Sequence, residues 1–426
     1  MKAMRRIFTN SGSRVPACSC PLIIIVAIMF LAISCITPFE PDLKGESNLL
    51  VVDGSLIKGQ QKQEIRISRS TSFSNPVLQF VEECTVRIVD DAGNEFLFNE
   101  ELPGRYVAVI DDALLSHASH YKLIISTPSG ENYESSYQSL PETAPVDSIY
   151  SVRETRYVRD ADEYLQGLQF YVDLDAPDDA SRYYRWQVEE TWELHALHKI
   201  YGAYDGETIV INQFNPSDSL YYCWDSKMAD GIYTYSTVSQ AQNRLTRIPL
   251  HFKPYYSPDL TIKYSATVRQ FALDEDAYFY WHQKETELKE SGQIYATQPA
   301  QVRSNIRNTA NPDEKVLGYF WVSSVTEKHV FEKNPFYNDK PIGPSGCVSY
   351  GACAEVVDSN LVKSLYRIAQ ITWNFPLPPV YIYYVRGSTG LNCFYFSKDA
   401  CIDCRRIGGT NSKPYFWEQD EAQSGQ

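Results

Sequence analysis

From Ser47 to Leu140 the chain alternates apolar and polar residues in short runs separated by turn formers. Leu49 to Leu56, Gln63 to Ser68, Cys84 to Val89, Glu95 to Asn99, Tyr106 to Ile110 and Tyr121 to Thr127 each have the period of two that buries one face of a strand. Asp90-Asp91-Ala92-Gly93-Asn94 supplies hairpin chemistry between two of them. About seven strands in so short a stretch, with no helical pattern longer than Asp111 to His120, predict an immunoglobulin-like β-sandwich over residues 47–142. Leu50, Val52, Ile65, Ile67, Val86, Ile88, Tyr106 and Ile124 would face its interior. Pro141-Glu142-Thr143-Ala144-Pro145 reads as a stiff linker.

Residues 146–426 continue the strand pattern at Ile149 to Arg153, Gln169 to Leu174, Tyr183 to Trp192, Gly318 to Val325, Ser364 to Thr372 and Val380 to Arg386. One helix interrupts them near 274–291, with Asp274 as its N-cap, acids in its first turn and Gly292 to close it. Ala277, Tyr278, Trp281, Glu285 and Leu288 form its packing stripe. The fold class is therefore mainly β, an N-terminal sandwich followed by a larger β-rich (α+β) domain with one inserted helix.

The N-terminus follows a different logic. Lys2, Arg5, Arg6 and Arg14 precede twelve apolar residues, Leu22 to Ile33, and then Ser34-Cys35. Twelve helical residues span about 18 Å, short of the roughly 30 Å hydrocarbon core, so residues 1–34 read as a signal peptide rather than a permanent span. Leu31-Ala32-Ile33-Ser34-Cys35 resembles a bacterial lipobox, which makes Cys35 the lipidated first residue of the mature chain. The prolines of Ile36-Thr37-Pro38-Phe39-Glu40-Pro41-Asp42 suit an extended tether over 35–46.

Charge narrows the partners. A net charge of −14 gives no basic footprint for nucleic acid and no attraction to anionic headgroups, so the membrane link is the covalent lipid. Cysteine usage suits an oxidising compartment: Cys223, Cys347, Cys353, Cys393, Cys401 and Cys404 are candidate disulfide partners, and Cys84, inside a strand pattern, is the candidate buried free thiol. Cys401-x-x-Cys404 has half of a zinc spacing, but a matching second pair is missing, and no metal or cofactor is expected. The segment Asn334 to Ser359, with Cys347 and Cys353 able to pin it, reads as a long loop.

Catalytic signatures do not emerge. His195-x-x-His198 precedes no third ligand, and Asp173, Asp175, Asp178 and Asp179 lack the glycine turn and closing glutamate of a calcium loop. The sequence contains no G-x-S-x-G, no H-E-x-x-H and no phosphate-binding glycine loop. The expectation is a non-enzyme, although paired glycosidase carboxylates need only spatial proximity and leave a glycan hydrolase as a lesser alternative. For ligand contact, exposed tryptophans are the pool, and Trp192 and Trp224 adjoin irregular polar stretches that could present them.

Several motifs together resemble one family. Cys401-Ile402-Asp403-Cys404-Arg405-Arg406-Ile407-Gly408-Gly409-Thr410-Asn411-Ser412-Lys413-Pro414-Tyr415-Phe416-Trp417 looks like the closing motif of the Bacteroidetes outer-membrane lipoproteins grouped as domain of unknown function 4249. Tyr183-Tyr184-Arg185-Trp186, Glu190-Thr191-Trp192-Glu193, Gln298-Pro299-Ala300-Gln301-Val302, Asn305-Ile306 and Gly318-Tyr319-Phe320 are similar to it too. The resemblance implies an anchored sandwich and genes beside TonB-dependent outer-membrane transporters. It carries no catalytic residue. On that basis the chain is expected to be an outer-membrane accessory or cargo-capturing lipoprotein of such a transporter; a surface adhesin is the alternative.

Overall fold

In the computed structural model the described residues are 48–71, 79–158, 162–200, 202–207, 209–211, 220–290, 304–333, 349–355, 358–374, 380–386, 391–397 and 399–418. The signal segment, Cys35, the tether and Cys347 lie outside them. The first strands are β1 (Leu50–Lys58), β2 (Lys62–Arg69), β3 (Gln79–Phe80), β4 (Thr85–Asp90), β5 (Glu95–Leu102), β6 (Arg105–Val109), β7 (His120–Ser126), β8 (Asn132–Ser135) and β9 (Gln138–Ser139). There follow β10 (Ser148–Val158), β11 (Glu163–Asp175), β12 (Tyr183–His195), β13 (Gly202–Tyr204), β14 (Ile209–Ile211), β15 (Tyr222–Met228), β16 (Tyr233–Ser236), β17 (Arg244–Pro254) and β18 (Lys263–Leu273). The last are β19 (Ile306–Asn308), β20 (Val316–Lys333), β21 (Ser349–Ala354), β22 (Val380–Arg386) and β23 (Asn392–Ser397).

The mainly β class expected from the alternation is what the chain adopts. In the N-terminal sandwich one layer runs β20-β1-β2-β6-β5 and the other β5-β4-β7-β8-β19. β5 serves both: Phe96 to Phe98 pair with β4, then Asn99 and Glu100 pair with β6. At the β4–β5 turn the Asp90 carboxylate accepts from the backbone N–H groups of Ala92 and Asn94 at 3.0 and 2.7 Å. Leu50, Val52, Ile65, Ile67, Val86, Ile88 and Tyr106 are buried in one cluster. Ile124 is the exception. It is half-buried, and Tyr121, Leu123 and Ile125 point inward instead, because β7 begins at His120 and its pleat runs in the opposite phase.

The same cluster takes in Ile306, Val316, Phe320 and Val322, so residues far beyond 142 help to close the first core. β20 is the reason. Its first half pairs in parallel with β1, Leu50↔Val316 through Lys58↔Ser324, and its second half pairs antiparallel with β18, Phe271↔Val325 through Lys263↔Lys333. One strand thus belongs to two sandwiches. The linker 141–145 runs alongside it: Thr143 N donates to Ser324 Oγ at 2.8 Å and Thr143 Oγ1 to Ser324 O at 2.6 Å.

The second sandwich sets the three-stranded sheet β10-β11-β17 over β15-β12-β18-β20. Leu168, Phe170, Val172 and Leu174 of β11 meet Tyr184, Trp186 and Val188 of β12 and Tyr264, Ala266 and Val268 of β18. The Glu275–Glu290 helix covers the other face of the lower sheet, with Asp274 capping it by accepting from Ala277 N at 2.8 Å. Ala277, Tyr278 and Trp281 of the expected stripe pack on Phe271, Leu273, Tyr319 and Trp321. Glu285 is buried and accepts from Thr234 N at 3.0 Å, whereas Leu288 is exposed, the stripe having rotated off the sheet by the last turn.

The segment 364–372 is a correction. It lies in a second helix, Ser359–Trp373, and not in a strand: Asp358 accepts from Leu361 N, and Val362, Tyr366 and Ala369 recur at helical spacing against Tyr204, Ile382 and Phe396. This helix lies on a separate five-stranded sheet, β14-β13-β22-β23-β21.

Candidate functional site

The inward row of β12 reads Tyr184, Trp186, Val188, Glu190, Trp192, so the core-facing side turns from apolar to charged near one end of the second sandwich. Glu190 is 1% exposed. Its Oε1 accepts from Lys253 Nζ of β17 at 2.7 Å and from Tyr264 OH of β18 at 2.8 Å, and His251 Nε2 lies 3.1 Å away. Lys227 Nζ sits 3.5 Å from Oε2, and Lys253 also donates to Asp259. Burial alone would raise the Glu190 carboxyl, but the hydrogen bonds and charges of His251 and Lys253 outweigh it and hold the group far below the usual carboxylate range. Burial also raises Tyr233, to about 12, with the Glu190 charge adding to it. Glu190 and Asp259 are thus met by donors of the protein itself, an arrangement that closes the sandwich end with matched charge.

The expected ligand contacts can now be placed. Trp192 is on a strand, half-buried, with Lys253 Nζ at 5.6 Å and Lys227 Nζ at 5.8 Å from its ring. Trp224 is also on a strand and is 9% exposed; Thr410 of the closing motif bridges to its backbone by two 2.8 Å bonds, and Lys413 Nζ lies 6.0 Å from its ring. Both rings are therefore carried by strands and not by a loop, and Thr191 beside Trp192 is itself buried. His195 pairs with Glu193 at 2.7 Å while His198 stacks on Tyr383, so the two do not converge. Asp173 accepts from Ser148, Tyr150 and Arg247 N; Asp175 pairs with Arg244 and Asp178 with Arg182. Among the described residues no group of His, Cys, Asp and Glu is arranged to hold a metal ion.

Cysteines organise the tail. Cys223 of β15 is bonded to Cys404 and Cys353 of β21 to Cys393 of β23, so Cys353 is joined to the neighbouring strand and does not pin a 347–353 loop. Cys401 is disulfide-bonded as well, and Cys84 is a buried free thiol. The end of the closing motif then seals the lower sheet: Phe416 stacks on His329 at 4.3 Å, and the Lys263 ammonium lies 4.6 Å from the Phe331 ring and 4.7 Å from that of Trp417.

A cleft of about 900 Å³ opens where the linker 141–145 passes from the first sandwich to the second. Pro141, Pro145 and Pro177 stiffen its walls, Leu140, Val238 and Leu273 give apolar surface, and Glu142, Asp179, Asp274 and Glu275 supply carboxylates. The basic side chains there are engaged: Arg182 donates to Thr237 O, Gln240 O and Asp178, and His117 Nδ1 to Leu140 O at 2.9 Å. Burial raises the Asp274 carboxyl against the hydrogen bond from Ala277 N. The volume is in the range of small-ligand sites, and its chemistry suits a ligand with donors or positive charge beside apolar surface. Sequence reasoning passed over it because its lining comes from five separate segments.

The family model described as Domain of unknown function (DUF4249) matches residues 36–329. The chain belongs to this family. The match spans the first sandwich, the linker, all strands of the second sandwich through most of β20, and the Glu275–Glu290 helix. The Cys401–Trp417 motif lies beyond it, and His329, the last matched residue, is the β20 position on which Phe416 of that motif stacks. A search of curated proteins returns no match.

Proposed function

We propose that this DUF4249 protein is an exported bacterial lipoprotein, held through Cys35 in the outer membrane of a Bacteroidetes cell envelope, where it serves as an accessory subunit of a TonB-dependent transporter and contacts its cargo. The observation that carries the first part is the N-terminal series of cations, twelve apolar residues and Ser34-Cys35, followed by a proline-containing tether. The Cys223–Cys404 and Cys353–Cys393 bonds support an oxidising compartment. The transporter as partner is what the family resemblance implies, and the acidic net charge of −14 fits a covalent rather than an electrostatic link to the membrane. The junction cleft is the place we assign to cargo, in preference to Trp192 and Trp224, because it is concave, proline-stiffened and lined by carboxylates.

Anchoring is tested by growing cells that express the full chain on an alkyne-tagged fatty acid. The wild-type chain takes the label and partitions with the outer membrane, and Cys35→Ala does neither. A wild-type chain that carries no label ends the lipoprotein reading.

A further inference from the structure

The sheet β10-β11-β17 has two terminal strands, and they differ. β17 is interrupted by two register shifts against β11 and by Arg247 at φ 55°, the bulged form that discourages further pairing. β10 has neither device. Its eleven residues pair with β11 without a shift, it contains no proline, and among the described residues no strand is paired to its outer edge, β20 approaching it at Ser151, whose hydroxyl donates to Glu332. Such an edge is an open ladder of N–H and C=O groups.

The residues on that edge are their own complement. Val152-Arg153-Glu154-Thr155-Arg156-Tyr157-Val158, read backwards about Thr155, sets Glu154 against Arg156, Arg153 against Tyr157, and valine against valine. We propose that β10 pairs antiparallel with β10 of a second copy of this chain, with Thr155 on the two-fold axis. In this register every pair joins residues of the same parity, so both sheets keep their faces on the same side and form one six-stranded sheet. Two Glu154–Arg156 pairs, two Arg153–Tyr157 pairs and one Thr155–Thr155 pair result, all of kinds that favour cross-strand pairing. The neighbouring registers fail on charge: centring on Arg153 opposes arginine to arginine, and centring on Glu154 opposes glutamate to glutamate and Val152 to Arg156. Arg153, Thr155, Arg156 and Tyr157 are exposed, and in the pairing Arg156 exchanges its bond to Gln169 and its place over the Phe252 ring, and Tyr157 its bond to Asp162, for contacts with the second copy. Glu154 Oε1 already accepts from Tyr171 OH and Arg247 at 2.5 and 3.2 Å, which fixes its carboxylate on the outer face and leaves Oε2 for Arg156 of the second copy. This pairing does not depend on the proposed function.

The register makes the test specific. Opposed residues of antiparallel strands have Cα atoms about 4.5–5.5 Å apart, within reach of a disulfide, whereas the two copies of Arg153 would be offset by four positions, about 13 Å. The full chain carrying Thr155→Cys, oxidised in detergent, is expected to give a reducible dimer, and Arg153→Cys is not. Light scattering of the purified chain across concentration supplies the second reading. Glu154→Arg turns two attractions into repulsions and weakens the dimer by about thirty-fold, and adding Arg156→Glu restores it. A Thr155→Cys chain that stays single on oxidation, an equal yield from Arg153→Cys, or a double swap no tighter than the single one overturns the proposal.

Discussion

Replacing Glu190 by alanine is expected to lower stability by about 3–5 kcal/mol, because it strips the acceptor from Lys253, Tyr264 and His251 while leaving them between two sheets. The thermal midpoint should fall by roughly 6–15 °C. Acid supplies an independent sign. The Glu190 carboxyl is held below its unfolded value of 4.5, so its contribution is whole above that pH and is lost as pH falls toward the lower folded value. The stability gap between wild type and Glu190→Ala therefore narrows on acidification, measured by denaturant unfolding at a series of pH values. A gap that stays constant from neutral to strongly acidic pH would mean that the ion cluster is not what holds this end of the sandwich.

An effect at least as large is expected of Gly318→Ala, at about 4 kcal/mol or more, from a single added methyl group. Gly318 has φ +89°, and a Cβ there would lie 1.9 Å from the carbonyl oxygen of Val52. The methyl group can be housed only by parting β20 from β1, whose nine parallel pairs join the first core to the second. Amide exchange should then rise along β1 and residues 316–324, with β12 and β18 protected for longer, and the buried Cys84 thiol should become reactive. Gly130→Ala is the control: its φ of +88° imposes the same backbone strain, but its Cβ meets nothing within 4 Å. Equal losses in the two variants would show that strain alone, and not the close approach of two strands, sets the cost.

The parts of the fold visible in the sequence were those written locally. Alternation placed β1, β2, β4, β6 and β22, and the acid-rich first turn after Asp274 placed the helix, since each depends on residues within a few positions of one another. The Ser359–Trp373 helix reads as a strand over 364–372 because Leu365, Tyr366, Ile368 and Ile371 form a short run of apolar, aromatic and β-branched residues that periodicity alone does not assign. Its signal was Asp358 three places before Leu361, with Val362, Tyr366 and Ala369 beyond. The role of β20 was invisible in principle, because its two halves take partners about 270 and 60 residues away and no local pattern encodes that choice.

The polar centre was partly legible. Glu190 continues the row of Tyr184, Trp186 and Val188, and a carboxylate in a core-facing row signals a buried partner. Which cation answers it could not be read, since Lys253 comes from another sheet. The setting of Trp224 was unreadable for a related reason: its backbone is bridged by Thr410, almost two hundred residues further on. The cleft shows the same limit, because proline and acidic residues in three separate segments gain meaning only when the two sandwiches meet around the linker.

The most direct measurement is recovery of a tagged full-length chain from native membranes in mild detergent, resolved by mass beside Cys35→Ala. A TonB-dependent β-barrel is expected to accompany the wild-type chain in constant stoichiometry, its amount falling when the anchor residue is lost. Recovery of the wild-type chain with no barrel would contradict the transporter reading and bring a surface-adhesive role to the front.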